Sequence, residues 1–562
     1  MENNVWSKRL NFILGLLIVL AAGLGFRLFQ KQILQHSAYL AQAEGQYIIK
    51  KDLPAQRGQI YASDMFPLAA NKQFYQVLAI PRNIKNPDEV AEKLGPLLDL
   101  PQSEIFSTIN NDKNYVPPLK HGLTEEEGDK IAALKLRGVI VLPESKRYYP
   151  EGQLASHVLG FVNDSGNGQY GIEGFFDDEL KGSGGEISAE KDVRGRFFNI
   201  GQKTAPENGK SYLLTLDHNI QYQAENILEE AVKKYQADSG SIIIIDPQTG
   251  KVYAMVGFPN FDPNKFNEVP EGEQNVFNNS TIANAWEPGS VFKPLIMAAA
   301  INEGKVQPET EGVFFNVVTV DSYEIHTSTD QAYGRETMTQ VLENSDNVAM
   351  VWVSEQLGKD LEYKYVKDFG FGRKSGIELD TEAPGEVLDL KKWSNTQRAT
   401  IAFGQGIAVT PIQLVTAMAS IANGGKLMKP YIVSEVDNAD GTKDVRQPQE
   451  VKRVLNTDVA NKVKEMMVSV VEYGHGKKAA VPGYRVAGKT GTAQVPAPGG
   501  GYYKDRHIGS FAGFAPADDP KFVMLVRLDQ PKNVEWAESS AAPTFGEMAT
   551  WLLDYFRVPP TE

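Results

Sequence analysis

The first strong pattern along the chain is a long apolar run near its beginning. Residues 10–29 are almost wholly apolar, with Asn11 and Arg27 as the only polar interruptions. A membrane-spanning helix needs roughly 17–25 such residues. A Lys-Arg pair at 8–9 precedes the run. It predicts that the N-terminus is cytoplasmic and that most of the chain lies on the other side of the membrane. The sequence therefore predicts a short cytoplasmic tail (1–9) and one transmembrane anchor (10–29).

The small residues Ala21–Gly23 leave a second interpretation open, that of a cleaved signal peptide. We favour an uncleaved anchor because the apolar run is long for the core of a signal. Beyond it, Ile33, Leu34, Tyr39 and Leu40 recur at near-helical spacing. They predict that the helix continues outward, as a surface for a partner or as a simple stalk.

Within a predicted domain at 30–205, residues from about 50 to 201 mix short strand-like runs with Gly, Pro and Asn. One example is Val139–Leu142, which is followed by Tyr148–Pro150. Lys181–Gly185 is rich in glycine and predicts a flexible spot. We interpret the region as an elongated, β-rich pedestal that carries a catalytic domain away from the membrane.

From residue 206 onward, strand-like runs frame a helical region. Runs at 241–246 and 251–256 flank a Pro-Gln-Thr-Gly turn and predict a hairpin. Five predicted strands with a helical lobe between them suit an α/β serine acyl-transferase fold over residues 206–562. The other predicted elements are three strands (around Lys489, at 507–514 and at 522–528) and a closing helix (Phe545–Phe556).

Composition narrows the function classes. A chain of 562 residues predicts more than one domain. The sequence contains no cysteine, which excludes disulfides and a thiol nucleophile. The net charge is −14 and no basic patch is visible, so a nucleic-acid partner is not expected. The sequence shows neither a metal-ligand cluster nor a phosphate loop, and no cofactor is implied.

The candidate nucleophile is Ser290, in the sequence Ser-Val-Phe-Lys at 290–293. A turn precedes it and a strong helical run follows, which predicts that Ser290 lies at a helix N-terminus. Serine needs an adjacent base, and residues three apart on a helix are neighbours, so Lys293 can serve as that base. Taken alone, Ser-x-x-Lys more often marks a capped helix with a surface lysine.

The second motif is Ser345-Asp346-Asn347, which opens another helical run. Ser345 could relay a proton between Lys293 and the leaving amine, and Asn347 could orient Lys293 or bind the substrate amide. Asp346 is interpreted as a spacer. All three residue types are also favoured helix caps, and in isolation a cap is the better interpretation.

The third motif is Lys489-Thr490-Gly491-Thr492, within a strand-like run. Lys489 would be the cation that lowers the pKa of Lys293. Thr490 and Thr492 offer hydroxyls to a substrate carboxylate, and Gly491 permits close backbone approach. The backbone N–H groups of Ser290 and Thr492 could form an oxyanion hole. An ordinary strand with a solvated lysine is the alternative for this motif alone.

The three motifs together, 55 and 144 residues apart, are typical of a serine acyl-transfer site that uses lysine as its base. With them the chain resembles a class B penicillin-binding protein, a monofunctional peptidoglycan D,D-transpeptidase. The resemblance extends over most of the chain. Further segments that carry it are Gly171–Glu173, Leu214–Gln221, Asp246–Val256 and Gly404–Pro411.

Two positions depart from the family pattern. Arg57–Tyr61 resembles the membrane-proximal motif, but Ala62–Met65 replaces the usual Asp-Arg-Asn-Gly turn. Met65 adopts positive φ less readily than glycine, so the sequence leaves the geometry of this turn open. Gly474–Gly476 reads Gly-His-Gly where the family often has Gly-Thr-Gly. We interpret His475 as a loop residue, not a base.

The resemblance implies a five-stranded antiparallel sheet with helices on both faces plus a helical lobe, preceded by the pedestal (a dimerisation-type domain) and the anchor. It implies a single-pass protein of the plasma (inner) membrane that cross-links peptidoglycan stem peptides, from a D-Ala-D-Ala donor to an amine acceptor. It also implies acylation by β-lactams and partners among divisome proteins and SEDS-family glycosyltransferases. The catalytic residues would be Ser290, Lys293, Ser345, Asn347 and Lys489.

The compact spacing before Lys489 favours a division-type over an elongation-type enzyme. Three rival functions share parts of the pattern. A serine β-lactamase would not need the anchor or the pedestal. A penicillin-sensing receptor resembles a smaller domain with several membrane spans. A scaffold with a dead site is disfavoured because all three motifs are intact.

Overall fold

The computed structural model describes residues 3–37, 39, 48–53, 55–113, 116–191, 197–497 and 501–560. Its contacts divide the chain into two units. The first comprises Met1–Gln56 and Gly182–Gly209, and the second comprises Arg57–Lys181 and Lys210–Glu562.

The first unit begins with the predicted apolar helix. It spans Asn3–Phe29 and continues as one π-helical segment, Gln30–Leu34. Trp6–Leu34 is apolar enough to cross a membrane, with a mean hydropathy of 2.3, which agrees with the predicted single anchor. The outward continuation thus includes Ile33 and Leu34, whereas Leu40 lies outside the described residues. The unit also holds a three-stranded antiparallel sheet of Ile48–Leu53, Gly185–Lys191 and Phe197–Thr204.

The second unit starts with the membrane-proximal region. The longest strand of this region, Pro67–Ala79, pairs antiparallel with Val139–Tyr148, so the two predicted runs at 139–142 and 148–150 belong largely to one strand. The other strands are Ile60–Tyr61, Lys120–Leu123, Phe161–Val162 and Gly168–Gln169. The helices are Pro87–Leu98, Gln102–Ile109, Glu125–Ala133, Ser156–Leu159, Gly171–Phe175 and Asp177–Lys181.

A buried ion cluster joins two of the segments that carry the family resemblance. Glu173 is fully buried. Arg57 Nε donates to Glu173 Oε2 at 2.7 Å, and Arg147 Nε donates to Glu173 Oε1 at 2.5 Å. A buried carboxylate is tolerated when it is paired in this way. The arginine of the Arg-Gly motif therefore packs against the Gly-Ile-Glu motif, 116 residues later.

The turn at Met65 keeps the left-handed conformation although its glycine is missing. Met65 has φ +67° and its side chain is largely exposed. Met65 N–H donates to Ala62 O at 2.9 Å, and Ala62 N–H donates to Phe66 O at 2.8 Å. The geometry that the sequence left open is thus a turn in which these hydrogen bonds hold Met65 at a φ that costs a non-glycine residue on the order of 1 kcal/mol.

Ser211–Leu214 connects the membrane-proximal region to the rest of this unit. It pairs parallel with Ile60–Tyr61 and antiparallel with Val433–Asp437, inside a seven-stranded sheet. Strands from both parts of the chain thus share one sheet. The division at residue 205/206 stays a prediction.

The central sheet has the five antiparallel strands that the sequence predicts. Their spatial order is Val252–Phe258, Ser239–Ile245, Phe522–Asp529, Tyr502–Ala515 and Ala487–Pro496. Successive side chains of a strand point to opposite faces, and both faces here are covered. Ile242 and Ile244 belong to one buried cluster, while Ile243 and Ile245 belong to another.

Helices cover both faces of this sheet. His218–Tyr235 and the closing helix Ala541–Tyr555 pack on one face, and Pro411–Ala422 packs on the other. The remaining helices are Ser280–Ala283, Lys293–Asn302, Met338–Glu343, Asn347–Leu357, Lys359–Asp368, Asn395–Ile401 and Thr457–Glu472. The short peripheral strands are Glu311–Phe314, Val317–Val320, Tyr323–His326, Gly334–Thr337, Lys426–Met428, Lys443–Val445 and Glu450–Arg453.

Candidate active site

Ser290 lies at the start of a helix, as the sequence predicts. A 3₁₀ turn, Gly289–Phe292, leads directly into the helix Lys293–Asn302. Every residue from Lys293 to Ile301 is buried, so the helix is surrounded by protein. The N–H of Gly289 donates to Gly404 O at 3.0 Å and fixes the turn from outside. Ser290 is thereby held on a rigid element at the wall of a cavity.

Lys293 is completely buried and faces the second motif. Its Nζ donates to Ser345 O at 2.5 Å, to Ser345 Oγ at 3.2 Å and to Asn347 Oδ1 at 2.8 Å. Ser290 is not among its hydrogen-bond partners within the described residues. Burial, and then the nearby charge of Lys489, lower the pKa of Lys293 well below its usual value. A neutral amine that can accept a proton is the expected consequence.

The second motif forms a strained bend before a helix. Ser345 has φ +55°, in the left-handed region that few non-glycine residues adopt. Asp346, not Ser345, caps the helix Asn347–Leu357, since its Oδ1 accepts from Val348 N–H at 2.7 Å and from Ala349 N–H at 3.1 Å. The bend directs both oxygens of Ser345 toward Lys293. Strain of this kind is typical of functional sites.

The third motif lies on the edge strand of the central sheet, Ala487–Pro496. Lys489 is completely buried, and its Nζ donates to Ser345 Oγ at 3.0 Å and to Thr490 O at 3.2 Å. Burial lowers the pKa of Lys489 to about 7, against a smaller opposing effect of Glu538. Ser345 Oγ therefore contacts both lysines, and the three motifs form one cluster.

Gly491 allows the third motif to approach the turn that holds Ser290. A Cβ at this position would lie 2.9 Å from both Pro288 O and Val291 Cγ1. Any larger residue would separate the edge strand from the Ser290 turn. The threonines on either side take different positions: Thr490 is buried against the cavity, whereas Thr492 Oγ1 accepts from Ala537 N–H at 3.1 Å.

The cavity has a volume of about 250 Å³ and brings together the predicted Ser290, Ser345, Asn347, Thr490 and Thr492. The sequence did not predict the other side chains in its wall. They are Ser328, Thr329, Phe403, Gln405, His475, Trp536 and Glu538.

The side chains of His475 and Glu538 are in hydrogen-bond contact in this wall. His475 Nδ1 lies 3.2 Å from Glu538 Oε2. The sequence interpretation of His475 as a mere loop residue missed its position beside the cavity. A rare histidine between two glycines was the available signal, whereas Glu538 lies on a short 3₁₀ turn, Ala537–Ser539, without a motif of its own. Among the described residues, no group of three or more His, Cys, Asp or Glu side chains could hold a metal ion.

Two family models match the chain. Residues 240–550 match the penicillin binding protein transpeptidase domain. The chain belongs to this family. Residues 52–214 match the penicillin-binding protein dimerisation domain, so the membrane-proximal region of this penicillin-binding protein also has its counterpart in the family.

Curated relatives match this chain along its whole length. Stage V sporulation protein D of Bacillus subtilis is 34% identical over 568 residues, covering 100% of this chain and 87% of the relative. Peptidoglycan D,D-transpeptidase FtsI of Escherichia coli K12 is 29% identical, covering 99% and 93%. These relatives confirm the predicted class, the class B penicillin-binding proteins, and its enzymatic activity, D,D-transpeptidation.

Solved structures confirm the fold. A peptidoglycan synthetase of Bifidobacterium adolescentis matches with a TM-score of 0.75 and 25% identity, over 92% of this chain and 98% of that one. Penicillin binding protein 3 of Mycobacterium tuberculosis, complexed with aztreonam, matches with a TM-score of 0.71 and 26% identity, over 91% and 98%. The predicted transpeptidase fold, with its preceding domain, is therefore correct.

Proposed function

We propose that this penicillin-binding protein cross-links peptidoglycan stem peptides in the synthesis of the division septum, with Ser290 as nucleophile. The observation that carries the catalytic part is the contact of one hydroxyl, Ser345 Oγ, with the amines of Lys293 and Lys489 beside the Ser290 cavity. This arrangement provides a base and a path for protons next to the serine.

The first half-reaction forms an acyl-enzyme. Ser290 Oγ attacks the carbonyl carbon of the D-Ala-D-Ala peptide bond, and neutral Lys293 takes the hydroxyl proton. The N–H groups of Ser290 and Thr492 stabilise the oxyanion of the tetrahedral intermediate. The C–N bond then breaks. Ser345 gives its proton to the leaving D-alanine and takes the proton held by Lys293, whose amine becomes neutral again, and an ester to Ser290 remains.

The second half-reaction transfers the acyl group. The amine of a neighbouring stem attacks the ester carbon and loses a proton to Lys293, through Ser345. The C–O bond breaks, Ser290 takes the proton from Lys293, which is neutral again, and a new amide links the two stems. Thr490 and Thr492 bind substrate carboxylate, and Asn347 orients Lys293. A β-lactam would occupy the donor position and leave Ser290 acylated.

Labelling with a fluorescent penicillin tests this chemistry. The full-length protein in detergent should form a stable adduct, and Ser290→Ala should abolish it while the protein still unfolds at the same temperature. Undiminished labelling of Ser290→Ala would disprove the assignment. Rapid loss of the adduct would instead favour the β-lactamase alternative, and acylation without transfer to an amine would favour a sensor.

The septal role is inferred from the motif spacing and from the relatives, not from the geometry of the site. The compact spacing of 144 residues between Ser345 and Lys489, and the similarity to the FtsI relative, favour division over elongation. The similarity to stage V sporulation protein D favours a second candidate, wall synthesis during sporulation. Depletion in the source bacterium distinguishes the three roles: filaments support division, rounded cells elongation, and normal growth with defective spores sporulation.

The setting in the cell completes the proposal. The Lys-Arg pair at 8–9 favours a cytoplasmic N-terminus, so that the catalytic domain lies outside the plasma (inner) membrane. The anchor and the membrane-proximal region would contact a SEDS-family glycosyltransferase and divisome proteins. Co-purification of the full-length protein with such a glycosyltransferase, lost when residues 10–29 are exchanged for an unrelated anchor, would test this partnership.

A further inference from the structure

Behind the catalytic lysine lies a pair of carboxyl groups that the mechanism above does not use. Glu336 is 2% exposed and Asp346 is completely buried. Glu336 precedes the helix Met338–Glu343, in the strand Gly334–Thr337, while Asp346 caps the helix Asn347–Leu357. Their side chains lie within hydrogen-bonding reach of each other, and the charges of both act on Lys293.

Each carboxyl group of this pair has one oxygen with a hydrogen-bond donor and one oxygen without. Glu336 Oε1 accepts from Asn344 Nδ2 at 2.6 Å, and Asp346 Oδ1 accepts from the helix N–H groups. The second oxygen of each carboxyl group, Glu336 Oε2 and Asp346 Oδ2, is buried without a partner. Two ionised carboxylates can only accept, so two adjacent buried acceptors require a donor.

We propose that Glu336 and Asp346 share one proton, and that Glu336 is a positioning residue that allows Lys293 to be the neutral base. This proposal rests on the proposed function of Lys293. The proton joins Glu336 Oε2 to Asp346 Oδ2, so the pair carries one negative charge instead of two. Carboxyl groups in such proximity do not both ionise readily, because their charges repel in a poorly solvated site.

Charge balance links the pair to the chemistry. The buried groups that face each other are Lys293, Lys489, Asp346 and Glu336. When Lys293 is neutral and Lys489 is charged, the cluster is neutral only if the carboxyl pair holds one proton. The same protons can also be arranged with both carboxylates charged and the amine of Lys293 protonated, but that arrangement has no base.

The pKa of Glu336 lies near neutral pH. Burial is the main cause that raises the pKa of Glu336 to about 7, and Asp346 adds to it, while Asn344 and the charge of Lys293 oppose it. The pair should therefore hold its proton at pH 6 and lose it progressively at alkaline pH. Lys489 titrates in the same range, so an experiment must separate the two groups.

Infrared spectroscopy detects the proton directly. The difference spectrum of wild-type minus Glu336→Gln at pH 6, with full-length protein in detergent, should contain the C=O stretching band of a protonated carboxyl group. Exposed carboxyls are ionised at this pH, and other buried carboxyls such as Glu362 cancel in the difference. The band should disappear as the pH rises. A spectrum without this band would overturn the proposal, whether or not the protein is active.

Acylation by a fluorescent penicillin tests the positioning role. Glu336→Leu leaves Asp346 Oδ2 without a donor and should slow acylation at pH 6 by tenfold or more. Glu336→Gln supplies an amide N–H in place of the proton and should restore most of that loss. Equal rates for the two variants would refute the positioning role, and thermal unfolding of both identifies a variant that has not folded.

The pH dependence separates Glu336 from Lys489. Both wild type and Glu336→Gln keep Lys489, so its titration cancels in the ratio of their acylation rates. If the pair shares one proton, Lys293 faces one negative charge at acid pH in both proteins, so the ratio of the Glu336→Gln rate to the wild-type rate should stay nearly constant between pH 5 and pH 7. A ratio that rises several-fold toward acid pH would show that both carboxyls of the wild type are ionised there and would contradict the proposal. Failure of the wild type to acylate at all would instead refute the proposed function and leave the infrared result standing.

Discussion

The hydroxyl of Ser345 lies 3.0 Å from the amine of Lys489. The same hydroxyl lies 3.2 Å from the amine of Lys293. Both amines are fully buried, and burial lowers the pKa of each. One hydroxyl thus connects two lysines whose protonation states can differ, and it lines the cavity that also contains Ser290. This arrangement suits a proton relay better than a structural bridge.

Removing that hydroxyl should therefore impair chemistry more than folding. We expect Ser345→Ala to slow acylation by a fluorescent penicillin by roughly 10²-fold or more, the usual range for a lost proton-transfer group. Ser328→Ala is the matched control, because it deletes the same group from the cavity wall without touching either lysine. A rate for Ser345→Ala within tenfold of the Ser328→Ala rate would show that Ser345 is not the relay.

The charge of Glu538 should tune the pH range of the enzyme. Glu538 raises the pKa of Lys489 against the larger effect of burial. Glu538→Gln removes that support, so Lys489 should lose its proton at a lower pH, and the alkaline decline of acylation should move toward lower pH. The shift should be modest because Glu538 is 36% exposed and therefore screened by solvent.

A rate–pH profile of the acylation constant measures this shift. Glu547→Gln removes the same charge from an exposed position on the closing helix and should leave the profile where it is. If Glu538→Gln and Glu547→Gln have the same profile, Glu538 does not act on Lys489.

Much of the catalytic domain was predictable because its signals are local. A continuous run of β-branched apolar residues, buried on both faces of the sheet, explains why Ile242–Ile245 reads as a strand. The closing helix begins only four residues before its predicted start at Phe545. The motifs at Ser290, Ser345 and Lys489 could be assigned to one site because three independent short patterns occur in a suitable order.

The features that the sequence did not predict depend on contacts between segments that are distant in the chain. Glu336 and Glu538 have ordinary neighbours in the sequence, and only the fold brings them to the two lysines. Met65 adopts positive φ without glycine because surrounding hydrogen bonds hold it, which residue preference cannot reveal. His475 was visible as an unusual residue, but its position beside the cavity follows from the packing of its loop against the turn that carries Glu538.

The buried carboxyl group of Glu362 should make the protein less stable as the pH rises. Glu362 is completely buried; its Oε2 accepts from Ser354 Oγ at 2.5 Å, and its Oε1 has no partner. Burial raises the pKa of Glu362 to about 8. Because this value lies above the unfolded one, the stabilisation is complete below about pH 4.5 and is lost as the pH rises through 8.

Glu362→Gln should abolish that loss. Relative to wild type, its free energy of unfolding should increase from acid to alkaline pH by on the order of 3–5 kcal/mol. Thermal unfolding of both full-length proteins at several pH values between 5 and 9 measures the effect. Glu271→Gln, at an exposed loop position, should run parallel to wild type. If the stability of Glu362→Gln also ran parallel to that of wild type, the ionisation of Glu362 would not lower the free energy of unfolding.

The position of Ser290 should depend on a glycine more than a hundred residues away. Gly404 has φ +78°, and a Cβ there would lie 2.2 Å from Gly289 O and 2.7 Å from Gly289 N. Since Gly289 precedes the nucleophile and donates to Gly404 O, relief of the clash must separate the two glycines and disturb the support of the Ser290 turn. We expect Gly404→Ala to slow acylation by 10²-fold or more, because small displacements at a reacting centre cost that much.

Gly304 provides the control that separates displacement from backbone strain. It has φ +65°, and no atom lies within 4 Å of the place where its Cβ would be. Gly304→Ala should therefore cost about 1 kcal/mol of stability through strain alone and leave the acylation rate close to that of wild type. Thermal unfolding and penicillin labelling of both variants give the comparison. If both variants lose stability equally and neither loses activity, the contact between Gly404 and Gly289 does not position the serine.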